Sequence, residues 1–350
     1  MTFMIENPWR GKGLDPEGLM PVAEATDVAA LLGLCPAHRE TPLRDAPGLA
    51  RLAGVAELRI KDERGRMGLG SFKALGAAHA IAREAVAQAG RDPEALRQAL
   101  AGRTYVAASA GNHGLSVAAG ARIFGARAVI FLSRTVPEPF AQRLAAHGAE
   151  VVRAGADYEA SMAAATEAAG EQGWTLLSDS SWPGYTELPL RVMEGYTQLA
   201  AEAVAQMDAP PTHVLLQAGV GGLAAAVAAH LRLAWGDGPR IIVVEPDAAP
   251  ALIDSIRAGR LVTSEGPVSC MGRLDCKTPS MIALAGLSRD ADGFATLTED
   301  EVRDGVAILA EHGFDTTPSG GAGLAALLAG LEPGADARVL AILSEGPEDG

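Results

Sequence analysis

Short runs in which apolar and polar residues alternate are separated along this chain by longer, alanine-rich stretches. The short runs predict strands, and the longer stretches predict helices. We predict strands at 56–62, 104–108, 127–132, 150–153, 176–178, 213–217, 240–245, 295–297 and 338–343. We predict helices at about 72–89, 93–101, from SAGNHG to 124, 137–147, 158–172, 189–207 and 250–258, with two more opened by Thr298 and by PSGGAG. Residues 1–55 are expected to be irregular and interrupted by prolines, with short helical runs such as Asp27 to Leu34.

Strands and helices therefore follow one another through most of the chain. Strand–helix–strand units at this spacing predict parallel sheets covered by helices on both faces. A length of 350 residues favours two domains over one. We expect an α/β protein built from two doubly wound lobes.

Composition narrows the classes of function. A formal net charge of −14 argues against nucleic acid or an acidic membrane as a partner. No apolar run is long enough to span a bilayer and the first residues do not resemble a signal peptide, so we expect a cytoplasmic protein. Cys35, Cys270 and Cys276 lack metal-ligand spacing and are expected to be buried structural thiols. No metal site is expected.

The glycine turn Gly219-Val220-Gly221-Gly222 follows the predicted strand HVLLQ and precedes an alanine-rich helix. Free amides at a helix N-terminus bind phosphate, which makes a phosphate cradle one interpretation. The turn also approximates a dinucleotide fingerprint, with Ala224 in the third small position and Glu245 at the end of the next strand. Close packing of helix on sheet is a third interpretation. The residues leave all three open.

The hexapeptide Ser109–Gly114 (SAGNHG) also lies between a predicted strand and a predicted helix. Its polar residues suit a helix cap. They equally suit an anion pocket in which the amide of Asn112 bonds a ligand oxygen. His113 taken alone favours a structural role.

Three further residues have an ordinary and a functional interpretation. Lys73 follows the glycine-rich turn GLGSF, where a lysine is usually solvated. Asp179 opens DSSWPGY, which suits either a pocket wall or a simple turn. Ser344 follows the last strand, at the end where open α/β sheets bind ligands. None of these residues is diagnostic alone.

Together these segments resemble fold-type II pyridoxal phosphate enzymes, the tryptophan synthase β-like superfamily. The matching segments, in order, are Thr41-Pro42-Leu43, SFK at Lys73, SAGNHG, the glycine turn and LSEG, so the similarity spans about 41–346. Within the superfamily the chain is most similar to diaminopropionate ammonia-lyases, through KDERGRMGLGSFKALGAAHA, DSSWPGYTELPLRVMEGY, VVEPD and MGRLDCKTPS. Serine and threonine dehydratases share the SAGNH loop but lack the DSSWPGY–MEGY block.

The resemblance implies two lobes with parallel-rich sheets and pyridoxal 5′-phosphate in the cleft between them. It implies a large cofactor-binding domain from residues 1–76 and 191–350, and a smaller substrate-side domain from residues 77–190. By analogy we expect a homodimer.

The resemblance also implies roles for the candidate residues. Lys73 would bind the cofactor covalently and act on the Cα proton of the substrate, and desolvation is expected to favour its neutral amine. Asp179 would hold the β-ammonium of the substrate or transfer a proton. The other implied cofactor contacts are Phe72, Asn112, Gly219, Val220, Gly221, Gly222 and Ser344. The implied substrate contacts are Ser109, Ala110, Gly111 and His113.

The implied reaction is β-elimination from 2,3-diaminopropionate, giving pyruvate and ammonia. Two positions depart from the ammonia-lyase pattern: Ser109-Ala110 stands where that family has Thr-Asp, and Pro318 where it commonly has Glu. The missing carboxylate at Ala110 leads us to expect a preference for the L-enantiomer. Two alternatives are a dehydratase of the serine/threonine or hydroxyaspartate type and a nicotinamide-dependent oxidoreductase that uses Glu245.

Overall fold

A seven-stranded and a four-stranded sheet organise the computed structural model, which describes residues 3–15 and 18–347. The strands are β1 (Phe3–Glu6), β2 (Leu43–Asp45), β3 (Glu57–Asp62), β4 (Thr104–Ala108), β5 (Arg127–Leu132), β6 (Ala149–Arg153), β7 (Thr175–Leu176), β8 (His213–Gln217), β9 (Arg240–Pro246), β10 (Gly293–Leu297) and β11 (Arg338–Leu343). The large sheet has the order β1-β10-β9-β8-β11-β3-β2, and the small sheet has the order β6-β5-β4-β7.

Helices connect most of these strands. They are α1 (Val28–Leu32), α2 (Pro47–Ala53), α3 (Lys73–Ala89), α4 (Pro93–Leu96), α5 (Asn112–Ile123), α6 (Glu138–Ala146), α7 (Tyr158–Gln172), α8 (Glu187–Gln206), α9 (Gly222–Trp235), α10 (Ala251–Ala258), α11 (Met281–Asp290), α12 (Glu299–Glu311) and α13 (Pro318–Leu328). A 3₁₀ helix spans Glu63–Gly68. None of the helices in the described ranges is both long enough and apolar enough to cross a membrane.

Parallel pairing dominates both sheets. All pairs of the small sheet are parallel, and in the large sheet only the edge strands β1 and β2 pair antiparallel. The carboxyl ends of neighbouring strands therefore lie together, as where Leu343 of β11 pairs with Asp62 of β3. The predicted α/β architecture with parallel-rich sheets is confirmed.

The structure corrects four details of the predicted elements. Residues before 56 are largely irregular with short helices, as predicted, but the strands β1 and β2, which pair with β10 and β3, were not predicted. The helix predicted at 93–101 ends at Leu96. Helix α11 was not predicted, and the strand predicted at 176–178 is instead β7. Short edge strands form because a neighbouring strand supplies hydrogen bonds, and an isolated sequence pattern does not show that neighbour.

The four strands of the small sheet all come from residues 104–176. Those residues fall inside the predicted smaller domain, 77–190. The domain boundaries themselves stay a prediction.

Helices α3 and α8 approach closely where glycines face each other. A Cβ on Gly76 would lie 2.7 Å from the ring of Tyr196, and a Cβ on Gly195 would lie 2.6 Å from the carbonyl oxygen of Leu75. Side chains at either glycine would push the helices apart. This contact sets the start of α3, and with it Lys73, against Tyr196.

A buried cluster of charges ties the segment before Lys73 to α8. The Arg66 guanidinium, fully buried, donates to Glu63 at 2.7 Å and to Glu202 at 2.7 Å. Lys61 donates to the same Glu202 carboxylate at 2.7 Å. Burial alone would raise the pKa of Glu202, but Arg66 and Lys61 outweigh burial and lower it to about 2. The Glu202 carboxylate is therefore held as an anion by the two cations.

Replacing Arg66 by Ala is expected to lower the free energy of unfolding by about 3–5 kcal/mol, because Glu63 would be left without its buried cation and Glu202 would keep only Lys61. Chemical unfolding followed by circular dichroism measures this loss. Arg127→Ala, which breaks the exposed pair with Glu150, is the matched control and should cost less than about 1 kcal/mol. Equal losses for the two variants would contradict the assigned role of the cluster.

Candidate active site

Lys73 is the first residue of α3, and the turn before it is fastened to the end of β11. The N–H of Phe72 donates to the carbonyl of Ser344 at 3.0 Å, and the N–H of Gly346 donates to the carbonyl of Gly70 at 3.0 Å. Lys73 is therefore fixed at the carboxyl edge of the large sheet. The ordinary interpretation of Lys73 as a solvated surface lysine is wrong, since its side chain is only 20% exposed.

Lys73 forms an ion pair with Asp179, which follows β7 of the small sheet. Burial alone would lower the pKa of Lys73, but the Asp179 carboxylate outweighs burial and holds that pKa above its usual value. Burial likewise would raise the pKa of Asp179, yet the Lys73 ammonium holds it well below its usual range. The expectation that desolvation makes Lys73 a neutral amine is therefore wrong while Asp179 is its partner.

The segment around Asp179 is a folded turn rather than a wall of aromatic rings. The hydroxyl of Tyr185 donates to the carbonyl of Leu176 at 2.8 Å and accepts from the N–H of Ser178 at 3.0 Å. The Trp182 and Tyr185 rings stack with centroids 4.4 Å apart. These contacts fix the backbone from which the Asp179 side chain reaches Lys73.

The SAGNHG loop joins β4 to α5 and holds a neutral histidine. Nε2 of His113 lies 2.8 Å from the carbonyl oxygen of Leu177, so Nε2 carries the proton. Nδ1 is buried without a hydrogen-bond partner. Burial is the main cause that lowers the pKa of His113, and the Lys73 ammonium acts in the same direction. The bare Nδ1 is available as an acceptor.

The glycine turn forms the N-terminal cap of α9. The backbone N–H groups of Gly219, Gly221 and Gly222 donate to no acceptor within the described part of the chain. Gly221 has a φ of 95°, which a residue with a side chain adopts only under strain. Three free amides beside the positive end of a helix dipole form a site for an anion.

Two residues that the motifs did not single out lie next to this turn. The hydroxyl of Tyr196 is buried with no hydrogen-bond partner, and its ring packs edge-on against Phe72 with centroids 4.9 Å apart. The sulfur of Cys276 lies 3.1 Å from the position that a Cβ of Gly219 would occupy. Burial raises the pKa of Cys276 to about 11, so its thiol is neutral. The MEGY block was the available signal for Tyr196.

The predicted cofactor residues Asn112 and Ser344 also lie at this edge. The amide of Asn112 donates to the Glu345 carboxylate at 2.5 Å. Ser344 is buried and its hydroxyl has no hydrogen-bond partner among the described residues. Cavities of about 640 and 440 Å³ border the SAGNHG loop, the first at Asn112 and the second at Gly111.

The structure excludes the dinucleotide interpretation of Glu245 and corrects the burial expected of two cysteines. The Glu245 carboxylate is fully buried and accepts the N–H groups of Leu252 and Ile253 at 2.7 and 2.9 Å, so it caps α10 and leaves no acid for a dinucleotide ribose. Burial raises the pKa of Glu245 to about 8.

Cys35 is buried as predicted, but Cys270 and Cys276 are only partly buried.

Ala110 and Pro318, the two positions that depart from the ammonia-lyase pattern, lie in different surroundings. Ala110 is partly buried and packs against the main hydrophobic core. Pro318 occupies the first turn of α13, where a missing N–H costs nothing, and Thr317 caps that helix by accepting from Gly320 at 2.9 Å.

The chain is similar to known proteins over most of its length. The chain is 33% identical to diaminopropionate ammonia-lyase of Escherichia coli (strain K12) over 340 residues, covering 89% of this chain and 85% of that protein. It is 29% identical to a serine dehydratase-like protein of Mus musculus over 309 residues, covering 87% and 86% of the two chains.

Among solved structures, diaminopropionate ammonia-lyase from Escherichia coli in complex with D-serine superposes with a TM-score of 0.89 at 29% identity, covering 100% of this chain and 95% of that chain. The family described as pyridoxal-phosphate dependent enzyme matches residues 34–345. With its lysine, its free-amide turn and its fold in this arrangement, the chain belongs to the pyridoxal-phosphate dependent enzyme family.

Proposed function

We propose that this enzyme is an ammonia-lyase that catalyses β-elimination from 2,3-diaminopropionate, with the L-enantiomer preferred. The overall reaction converts one diamino acid and one water into pyruvate and two ammonia. The observation that carries the proposal is the Asp179 carboxylate beside Lys73, because it offers an anion for a second substrate ammonium. Similarity to diaminopropionate ammonia-lyase of Escherichia coli supports it.

The residues present fit pyridoxal 5′-phosphate. The free amides of Gly219, Gly221 and Gly222 suit its phosphate. The sequence contains four lysines. Lys61 is committed to the buried cluster, and Lys277 donates to two carbonyls and to Asp275. Lys12 is exposed, which leaves Lys73 to hold the cofactor, with Ser344 and Phe72 beside it.

The cofactor, when bound, supplies the electron sink that makes a Cα proton acidic. Lys73 then needs to accept a proton at Nζ, so its pKa must fall. Asp179 is what holds that pKa up, since burial alone lowers it. A substrate β-ammonium that pairs with Asp179 competes with Lys73 for the carboxylate and removes this support. Binding of a diamino acid thus prepares the base.

The SAGNHG loop is suited to the α-carboxylate of the substrate. The N-terminus of α5 begins at Asn112, so the loop lies at the positive end of a helix dipole. Ser109 and Gly111 supply backbone in this loop. His113 is neutral and directs no positive charge at the site. The loop therefore binds and orients the carboxylate, while Lys73 and Asp179 handle the protons.

One alternative is a dehydratase acting on a serine, threonine or hydroxyaspartate type of substrate. It is favoured by Ala110, which places no carboxylate in the SAGNHG loop, and by the similarity to a serine dehydratase-like protein of Mus musculus. A hydroxyl leaving group needs no anion to receive it, whereas Asp179 provides one. A nicotinamide-dependent oxidoreductase is not retained, because Glu245 caps a helix.

We also propose that the enzyme is cytoplasmic and forms a homodimer. The proposed domain boundaries lie at 76/77 and 190/191. Size-exclusion chromatography with light scattering gives the mass of the assembly. A mass of one chain would end the homodimer proposal.

L-2,3-diaminopropionate is expected to yield two ammonia per pyruvate, and the D-enantiomer to react at least about a hundredfold more slowly, since no second base is available at Ala110. Coupled assays for pyruvate and ammonia measure both. One ammonia per pyruvate from serine, with no turnover of the diamino acid, would establish the dehydratase alternative.

The variant Ala110→Asp restores a carboxylate in the loop and is expected to raise turnover of D-2,3-diaminopropionate while L-turnover changes less. Ala110→Asn matches its size without the charge and serves as the control. Comparable rates for both enantiomers in the unmodified enzyme would end the stereochemical proposal.

Lys73→Ala is expected to abolish the visible absorption of covalently bound cofactor and to lower turnover by about a hundredfold or more, because both the attachment and the base are lost. Absorption spectra before and after borohydride treatment provide the measurement. Lys12→Ala, at an exposed position, is the control and should keep the spectrum. A visible band that survives in Lys73→Ala would refute the attachment site.

Gly221→Ala is expected to weaken cofactor binding by about tenfold, because a φ of 95° strains a side-chain residue and displaces amides that would bind an anion. Gly236→Ala is the matched control, as Gly236 ends the same helix with a φ of 60° and open space around it. Titration with the cofactor should show a loss for Gly221→Ala alone. Equal affinities would show that the turn does not hold the phosphate.

A further inference from the structure

Glu345, directly after Ser344, contacts several segments that border the site. Its backbone forms an antiparallel bridge with Ser71, two residues before Lys73. Its carbonyl oxygen accepts from the hydroxyl of Thr316 at 2.6 Å. The residue is 4% exposed, so its charge is held inside the protein. Neither the sequence motifs nor the proposed reaction gave this carboxylate a task.

The carboxylate itself binds three other segments. Oε2 accepts from Nδ2 of Asn112 at 2.5 Å, and Oε1 accepts from Nη1 of Arg273 at 2.9 Å. Oε1 also accepts the hydroxyl of Thr317, the cap of α13. Asn112 belongs to α5 beside the small sheet, whereas Arg273 and Thr317 belong to segments beside the large sheet. Glu345 therefore connects the SAGNHG loop to the turn that precedes Lys73.

This arrangement fixes the orientation of the Asn112 amide. A carboxylate only accepts hydrogen bonds, so the side of the amide that faces Glu345 must be its NH₂ group. One N–H is used, which leaves the second N–H and the amide oxygen for a ligand. Without Glu345 the amide is free to rotate by half a turn and present the opposite polarity.

We propose that Glu345 is a positioning residue that sets the orientation and polarity of Asn112 toward the cofactor. Charge-assisted hydrogen bonds are the strong ones, and a buried chain of them polarises each member. Arg273 and Thr317 keep the carboxylate in place, so its effect on the cofactor passes through Asn112. The proposal rests on the cofactor and is independent of which substrate is eliminated.

Glu345→Gln tests the proposal by retaining the shape while removing the charge and one acceptor oxygen. We expect the dissociation constant for pyridoxal 5′-phosphate to rise by about tenfold and the visible absorption maximum to shift. Both are measured by titration without substrate, so failure of the proposed elimination would not affect the result. Glu150→Gln, an exposed glutamate in the ion pair with Arg127, is the control and should match the unmodified enzyme.

A double-mutant cycle separates positioning from simple stabilisation. In an Asn112→Ala background, Glu345→Gln should change the dissociation constant by less than about twofold. The absorption maximum should not shift. A full tenfold loss in that background would show that Glu345 acts elsewhere and would overturn the proposal. An unmodified affinity and spectrum for Glu345→Gln alone would overturn it as well.

Arg273→Gln keeps the proposal testable if Glu345→Gln does not fold. It loosens the carboxylate from its far side and leaves Asn112 in contact with it. We expect a smaller rise in the dissociation constant, about threefold, with a spectral shift in the same direction. A spectrum and affinity equal to those of the unmodified enzyme would contradict the proposal.

Discussion

The ion pair between Lys73 and Asp179 is the interaction on which the site depends. It joins a residue at the carboxyl edge of the large sheet to one that follows the small sheet. Each charge is stable in a largely buried place only because the other is present, as their opposite pKa shifts show. Under the proposed function, the pair keeps the lysine charged until the β-ammonium of a diamino acid pairs with the carboxylate in its place.

The parallel sheets explain why distant motifs meet. Strands β3, β8 and β11 are neighbours, so the segments that follow them, the lysine turn, the glycine turn and Ser344-Glu345, emerge at one edge. The small sheet supplies the SAGNHG loop and Asp179 in the same way. Helix N-termini and unpaired amides then lie together at this edge, an arrangement that suits an anion although the whole chain is strongly acidic.

The supporting charges are arranged in buried groups with every carboxylate paired. Glu63 and Glu202 are held by Arg66 and Lys61, and Glu345 is held by Asn112, Arg273 and Thr317. Such groups contribute orientation more than net stability, because desolvation offsets much of the attraction. Their effect is to hold the backbone between β3 and Lys73, and the side chain of Asn112, in one conformation.

The sequence by itself determined the α/β class, most strand positions, the lysine at a helix start and the glycine turn, since these follow from periodicity and from local backbone needs. It did not determine the edge strands β1 and β2, which exist because β10 and β3 lie beside them. It also allowed a dinucleotide-binding role for Glu245, which the structure excludes because this side chain caps α10.

Only the tertiary structure brought Asp179 to Lys73, Tyr196 to Phe72 and Glu345 to Asn112, because each contact joins residues more than a hundred positions apart in the chain. Local patterns carry no information on such contacts. The charge state of Lys73 was decided the same way: its environment, and not its place in a motif, sets its pKa.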